Sequence, residues 1–382
     1  MGWQVYDAAR ADGQSIAEAA FVLGLVGLAQ FLPLLVLSLF GGQAADRYNR
    51  RLILTACILA KAVILLGLAG ASVMGRPEIV IPAIFAAAVT AGIINSFMPP
   101  AASALLPMLV PREELPQGIA WSSLAFQSAL IIGPAIGGLL YAFGPVVPYM
   151  TAFTLLVIGA ALMFALKPPA QEPVKDARTI RMIVEGLVYV WRNKIVLGAI
   201  SLDLVVVLLA GAVALLPVFA RDILHAGPSE LGVLRSAMGV GAAIVALWLA
   251  VKPLQRRVGL WMFGATIVFG LATIVFGRSE HLWLTAAALA VAGGVDMISV
   301  YVRQSLIQLA TPDAMRGRVA AVSFVFISAS NEFGDFEAGL MARIFGPVTA
   351  VTIGGVGAVL ASVGWMRLFP ALAKADGFEP RA

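Results

Sequence analysis

The chain of 382 residues is 60% hydrophobic and only 12% charged, whereas soluble globular proteins carry roughly 25% charged residues. This composition excludes a water-soluble globular fold and favours an integral membrane protein. The formal net charge is +5, but the basic residues stand in short clusters between apolar runs, which is typical of membrane-protein loops rather than of a nucleic-acid-binding surface. The single cysteine, Cys57, allows no disulfide and no thiolate metal site within one chain. We predict no metal, no cofactor and no nucleic-acid partner.

Apolar runs along the chain predict eleven transmembrane helices, because each spanning helix needs about 20 mostly apolar residues. Five runs precede a polar stretch and six follow it. The predicted spans are 18–45, 52–74, 79–106, 116–143, 146–166, 195–220, 231–251, 258–277, 283–309, 317–344 and 347–369. The first residues, MGWQVYDAARADGQ, lack the basic and apolar regions of a cleavable signal peptide.

The polar stretch divides the chain into domains. It opens Pro-rich and then places apolar residues at helical spacing, which predicts a linker followed by an amphipathic helix lying on the membrane surface. We therefore expect an N-terminal bundle at 1–166, a cytoplasmic linker at 167–194, a C-terminal bundle at 195–370 and a cytoplasmic tail at 371–382.

The basic residues predict the orientation of the spans. Of the 26 Lys and Arg residues, 18 fall in one set of loops and termini, 5 in the opposite set and 3 within spans. Because Lys and Arg in short loops mark the cytoplasmic side, the linker and the C-terminus are predicted to be cytoplasmic in a multi-pass protein of the inner or plasma membrane. Eleven spans then place the N-terminus outside.

An internal repeat relates the two bundles. An offset of 201 residues carries Pro111 onto Pro312, Gly133 onto Gly334 and Gly138 onto Gly339. Two parallel repeats related by an axis normal to the membrane predict an all-α fold of two pseudo-symmetric helical bundles, the architecture of a six-plus-six transporter. The first half is one helix short of this pattern, and the residues GWQVYD are interpreted as the outer end of a missing first span.

Two motifs resemble those of the major facilitator superfamily. The sequence GQAADRYNRR, from Gly42 to Arg51, resembles the loop between the second and third helices of that family, with Ala44 for the usual Leu and Asn49 for the second Gly. The sequence GPAIGG, from Gly133 to Gly138, is similar to a motif of its fifth helix. The resemblance covers almost the whole chain and is greatest to the branch of enterobactin exporters and Tap-type multidrug efflux proteins. It implies a transporter rather than an enzyme.

The two motifs suggest structural roles. In the first motif, Asp46 can pair with an arginine or with a helix N-terminus. Such a pair would hold one face of the protein closed and would break when the two halves rock. The alternative is an ordinary positively charged loop without a gating role. The gating loop is predicted to comprise Gly42, Asp46, Arg47, Arg50 and Arg51. In the second motif, small residues are expected to allow close helix packing and the proline a kink. These residues are Gly133, Pro134, Gly137 and Gly138.

Ionisable residues inside spans are costly, about 2.5 to 3.5 kcal/mol each at a helix centre, and therefore predict a functional site or a partner. Glu332 and Asp335 lie three residues apart on one helix face, where two like charges favour protonation of one of them. Such a group can serve proton-driven antiport; alternatively, these acids lie in water at the helix end or neutralise Arg235 and Arg303. The proton-coupling or substrate-binding candidates are Asp203, Asp296, Arg303, Glu332, Asp335 and Glu337.

Neutral polar residues in the spans are predicted to line a cavity, which with its apolar surroundings would suit an amphipathic solute. They are Gln30, Asn95, Gln127 and Asn331. The leading interpretation is a monomeric secondary transporter that uses a proton gradient and alternating access to export a small amphipathic molecule, a drug or a siderophore, through the lipid bilayer. An importer, a non-transporting receptor and an inactive truncated transporter are the alternatives. The sequence holds no GxxxxGK[ST] or HExxH motif, which disfavours nucleotide hydrolysis and metalloenzyme chemistry.

Overall fold

The protein is helical throughout the residues that the computed structural model describes, which are 1–111, 113–166 and 179–377. The first half contains α1 (Gly2–Ala11), α2 (Ile16–Arg47), α3 (Arg50–Met74), α4 (Pro77–Leu109), α5 (Leu115–Tyr141) and α6 (Val146–Ala165). The linker contains α7 (Thr179–Arg192). The second half contains α8 (Lys194–Leu209), the short α9 (Leu216–Val218), α10 (Pro228–Val251), α11 (Val258–Arg278), α12 (Leu282–Ala310), α13 (Asp313–Phe345), α14 (Pro347–Leu368) and α15 (Pro370–Ala373).

Ten of the eleven predicted spans coincide with one long helix each, and the all-α membrane fold is confirmed. Ten spans are long and apolar enough to cross a membrane when the described residues are considered. Helix α13 is not among these ten, although it is 33 residues long, and it is the helix that carries Asn331, Glu332, Asp335 and Glu337. The sixth predicted span is only partly an α-helix, because α8 ends at Leu209 and the chain continues to Ile223 through 3₁₀, α and π turns. Gly211 and Pro217 disfavour a continuous helix there.

The repeat is visible in how the helices pack. An offset of 201 residues carries α2 to α6 onto α10 to α14 in order, and carries α1 onto the end of α8. Helix α2 packs against α13, and α10 packs against α5. These two interfaces are equivalent under the repeat, and they join the halves. We call the membrane face near α7 the linker side and the opposite face, near α1, the α1 side.

Two glycine crossings hold the halves together on the α1 side. A Cβ atom on Gly339 of α13 would lie 2.6 Å from the Cα of Gly24 on α2. In the equivalent interface, a Cβ atom on Gly138 of α5 would lie 3.0 Å from the Cα of Gly232 on α10. Gly138 and Gly339 are repeat partners, so one glycine of each crossing comes from the same position of the repeat. Only residues without a side chain allow the backbones to approach this closely.

The predicted packing role applies to some of the motif glycines and not to others. Gly138 packs as expected, but an added Cβ on Gly133 or Gly137 would meet no atom within 4 Å. The expectation of close packing at those two positions is wrong, because their open faces do not point at a neighbouring backbone. In the other motif, an added Cβ on Gly42 likewise meets no atom within 4 Å.

Helix α1 is fastened to both halves. On the first half, Gln4 donates a hydrogen bond to the Ser72 hydroxyl of α3 (2.7 Å) and accepts one from the Tyr149 hydroxyl of α6 (2.6 Å). Gln4 and Tyr149 are both buried. These contacts fix α1 on the first half, although it is only ten residues long.

Across the interface, α1 pairs with the π turn of the second half. Arg221 Nη1 lies 2.6 Å from Asp7 Oδ1, and Arg10 Nη2 lies 3.3 Å from Asp222 Oδ1. Tyr6 also donates a hydrogen bond of 2.5 Å to Asp222. We call these five residues the α1 clasp. The charges alternate between the halves, so each half supplies one acid and one base to an ionic network that closes the α1 side.

Helix α7 of the linker packs on the second half through one face. Glu185 lies 2.5 Å from Arg318 of α13, and Val190 is buried against α8 and α13. Its other face leaves apolar side chains exposed at helical spacing, from Val184 and Leu187 to Val188 and Trp191. The helix α7 thus packs on the second half with one face and exposes an apolar stripe on the other. Residues 167–178 of the predicted linker and 378–382 of the predicted tail lie outside the described residues, while α15 packs against α8 and α11.

The glycine crossings lead to a prediction. Gly138→Ala and Gly339→Ala should favour a state with the α1 side separated, because the new methyl groups collide with Pro228 and Gly24. We expect a shift of about 1 to 2 kcal/mol, or roughly five- to thirty-fold in the labelling rate of a reporter cysteine. Leu23→Cys provides the reporter, since Leu23 is 7% exposed on the α1 side. Maleimide labelling measures the rate.

The matched controls are Gly133→Ala and Gly137→Ala, whose methyl groups enter open space. Equal labelling rates in all four variants would contradict the role of the crossings. Cys57 is buried, and replacing it with Ser removes residual background.

A second prediction concerns the α1 clasp. Asp7→Arg should accelerate labelling of the same reporter, because it places two positive charges together at Arg221. The reversed pair, Asp7→Arg with Arg221→Asp, should recover most of the wild-type rate. We expect an interaction free energy of about 1 kcal/mol in this double-mutant cycle, since the pair is partly exposed. Arg76→Asp, a change at an exposed residue on the same side, serves as the control. If the effects of Asp7→Arg and Arg221→Asp on the labelling rate are additive in free energy, the clasp is contradicted.

Candidate functional site between the two halves

The candidate site lies where α2 meets α13, next to the Gly24 and Gly339 crossing. Gln30 of α2 donates a hydrogen bond to Glu332 Oε1 of α13. One turn closer to the α1 side, a Cβ on Gly27 would lie 2.8 Å from the Cβ of Asp335 and 3.1 Å from the carbonyl oxygen of Glu332. Both acids therefore belong to the part of α13 that packs on α2, and Gly27 allows α2 to approach them.

Arg235 supplies the positive charge of the site. It lies within the apolar helix α10 and interacts electrostatically with Asp335. Its guanidinium also reaches α1, where Nη2 lies 3.5 Å from the position of a Cβ on Gly2. The site thus combines two carboxylates and one nearby arginine of the second half with Gln30 of the first half. Arg235 was not among the predicted site residues and was expected only as a counter-ion of the acids, but an arginine inside an apolar span is the signal that could have identified it.

Aromatic rings line the same interface. The ring centroids of Phe31 and Phe333 are 5.6 Å apart, and those of Phe333 and Phe336 are 5.9 Å apart. Phe21 continues the series towards the α1 side, where the guanidinium of Arg343 lies 4.5 Å from its ring centroid. Carboxylates, an amide and aromatic faces side by side give the site both a polar and an apolar surface.

The remaining predicted lining residues, and the predicted proton-coupling candidate Glu337, are dispersed. Asn331 is exposed on α13, and Glu337, Asn95 and Gln127 are half-buried on α13, α4 and α5. Among the described residues, no hydrogen bond joins these four to Gln30 or to the paired acids. The structure therefore brings together Gln30, Glu332 and Asp335, and not the whole predicted set.

A cavity of about 220 Å³ lies on the other interface, between α1, α5, α6 and α10. Pro134, Gly137 and Gly138 form part of its wall, and Arg235 forms another part. The glycine and proline motif therefore lines a space between the halves, in addition to its predicted role in helix packing. Arg235 connects this cavity to the acids of α13.

Three of the predicted acid-site residues lie elsewhere. Asp203 of α8 forms an ion pair with Arg303 of α12, and their side chains are only 6% and 4% exposed. Asp296 lines a small cavity next to Asp203. All three belong to the interior of the second half. The predicted set thus separates into an interface group, with Glu332 and Asp335, and a group inside one half.

The predicted gating loop is bound to its own half. Asp46 Oδ1 lies 3.9 Å from Arg50 Nη2, and Arg50 also donates hydrogen bonds of 2.9 Å to the carbonyl oxygens of Ala45 and Ala104. Arg51 donates a 2.6 Å hydrogen bond to the carbonyl oxygen of Leu166, just after α6. Arg47 is exposed. These bonds tie the start of α3 to α4 and α6.

Comparison with known proteins identifies the family. The family model described as a transmembrane secretion effector matches residues 5–380. The enterobactin exporter of Shigella boydii serotype 18 is 30% identical over 93% of this chain and 78% of its own length. The enterobactin exporter of Citrobacter koseri is 27% identical over 89% of this chain and 80% of its own length.

Solved structures share the fold at lower identity. The D-xylose–proton symporter has a TM-score of 0.73 at 14% identity, covering 96% of this chain and 93% of its own. A point mutant of the nucleoside transporter NupG has a TM-score of 0.68 at 13% identity, covering 96% and 94%. The family match and the 30% identical relative agree with the observed fold. The chain therefore belongs to the transmembrane secretion effector family of the major facilitator superfamily, and it is a secondary transporter rather than an enzyme.

Proposed function

We propose that this transporter exports a siderophore of the enterobactin type. The observation that carries the proposal is the similarity to named enterobactin exporters, 27% to 30% identical over most of the chain. The site between the halves supports it, because Phe31 and Phe333 offer aromatic faces beside the polar pair of Gln30 and Glu332. An amphipathic solute with aromatic rings and hydroxyl groups matches such a surface.

The linker and the C-terminus are assigned to the cytoplasm, in the inner or plasma membrane. This assignment follows from the excess of Lys and Arg on the linker side. The α1 side then faces outward. Since the glycine crossings and the α1 clasp close that side, the conformation corresponds to the state in which an exporter is closed to the outside.

Proton exchange is assigned to Glu332 and Asp335. The two acids stand one turn apart on α13 near one arginine, so the ionised pair carries an excess negative charge between the halves. A proton removes that charge, and separation of α2 from α13 would expose the acids to water and release it. Opening and deprotonation are thereby coupled.

The lipid contact of the linker is assigned to α7. Its exposed stripe of Val184, Leu187, Val188 and Trp191 is suited to the interface of the cytoplasmic leaflet, beside the basic Arg192. The chain is proposed to act as a monomer, since both repeats needed for alternating access are present in one polypeptide.

The proposed function is tested with purified protein in vesicles that contain a pH gradient. The acidic interior of the vesicles faces the α1 side of the transporter. Enterobactin should accumulate in this interior, because its movement towards the α1 side is exchanged for protons that move towards the linker side. Glu332→Gln and Asp335→Asn should reduce this gradient-driven accumulation to the level of protein-free vesicles. Counterflow of labelled enterobactin without a gradient should continue.

The control for this experiment is Glu280→Gln, an exposed acid in the loop before α12. Full gradient-driven transport in both site variants would exclude the assigned coupling role. Accumulation only under the opposite gradient would indicate an importer, and binding without flux would indicate a receptor.

The loop at Asp46 is proposed to stiffen the linker side of the first half, so that the half rotates as one body. Arg50→Ala should destabilise the protein by about 1 to 3 kcal/mol, because it removes the donor for two backbone carbonyl groups. Unfolding in detergent, monitored by the loss of the helical circular dichroism signal, measures the change in the free energy of unfolding. Arg47→Ala provides the comparison, since Arg47 is exposed, and equal stability of the two variants would contradict this role.

A further inference from the structure

A second polar site lies inside the C-terminal half, away from the interface. It is a small cavity between α8, α11 and α12, with a volume of about 10 Å³. That volume corresponds to a single water molecule. Its polar wall consists of Asp203, Thr266, Asp296 and Ser299.

The charges around this cavity do not balance. Asp203 is paired with Arg303, and both side chains are almost completely buried. Asp296 has no hydrogen bond and no ion pair within the described part of the chain. It precedes Arg303 by two helical turns, about 10 Å along the axis, and the charge of Arg303 is already neutralised by Asp203. One carboxylate is therefore left uncompensated in an apolar interior, where an isolated charge is strongly disfavoured.

Ser299 points independently to a ligand in the same place. It lies one turn from Asp296 on α12, is 3% exposed and lines the cavity. Its hydroxyl has no hydrogen-bond partner among the described residues. Buried hydroxyl groups are normally bonded, so this one is available to a molecule in the cavity.

The oxygen atoms in the wall of the cavity limit which ligands it can bind. Thr266 is already committed, since it donates to the Phe263 carbonyl and accepts from Ser362. The free oxygens come from Asp296, Ser299 and the second carboxylate oxygen of Asp203. Calcium and magnesium require about six oxygen ligands, more than this wall offers. A proton on Asp296, with one water molecule, satisfies both the charge and the volume.

We propose that Asp296 binds a proton and that one water molecule joins its carboxyl group to Ser299 and Asp203. The chemistry is simple protonation, in which the carboxylate gains one proton and becomes a neutral acid. Asp203 and Arg303 stay ionised as a pair and orient the water. The charged groups that face Asp296 are thus confined to α8 and α12, because the described wall contributed by α11 is neutral. This site goes beyond the proposed export function and does not depend on the substrate.

Infrared difference spectroscopy of the purified full chain, between acidic and alkaline pH, tests the proposal without any substrate. The wild type should show a carboxylic C=O band that is absent from Asp296→Asn and retained, at a shifted position, by Asp296→Glu. Ser299→Ala should shift the wild-type band, because the carboxyl group loses a bonded neighbour. Ser323→Ala is the matched control, since Ser323 is equally buried and unpartnered but lies on α13.

Two results would overturn the proposal. One is a wild-type spectrum that coincides with that of Asp296→Asn. The other is loss of the band on adding sodium at constant pH in the wild type, with no such effect in Asp296→Asn, which would identify a metal-cation site instead. The assay reports protonation alone, so failure of enterobactin transport leaves its outcome unaffected.

Discussion

Close approach of two backbone pairs is the constraint on which the interface between the halves depends. Gly24 with Gly339 and Gly138 with Gly232 allow α2 to reach α13 and α10 to reach α5. Without that approach, Gln30 could not bond Glu332, and Gly27 could not lie against Asp335. The polar site is therefore a product of helix packing rather than of a dedicated loop. Because Gly138 and Gly339 are related by the repeat, the same position of the repeat supplies one glycine of each crossing.

The acidic residues divide according to what surrounds them. Glu332 and Asp335 lie between two bodies that must separate during transport, so their environment changes with conformation. Asp203, Asp296 and Arg303 lie within one half, where the surrounding helices stay together during a rigid-body movement. The first group is suited to sensing the relative position of the halves, and the second to sensing the charge state of its own bundle.

Much of the fold could be predicted from the sequence, because bilayer thickness sets the length of an apolar run and the repeat sets the order of the helices. The site could be predicted only in part. The partner of Arg303 is Asp203, 100 residues away on another helix, and helical spacing carries no information about contacts between helices. Gly137 and Gly138 are adjacent in sequence, yet only Gly138 meets a neighbouring backbone. Which face of α5 points to α10 depends on tertiary packing that no local pattern encodes.

The exposure of the α1 clasp makes the conformation of the protein depend on the surrounding solution. Its ion pairs are between 15% and 48% exposed on their individual side chains, so dissolved ions reach them. Attraction between such charges is screened over about 8 Å at physiological ionic strength and over about 3 Å in 1 M salt. The balance between the closed and separated α1 side therefore varies with the salinity of the fluid that bathes it. In a transporter closed in this way, five side chains make the resting conformation depend on the ionic strength at the α1 side.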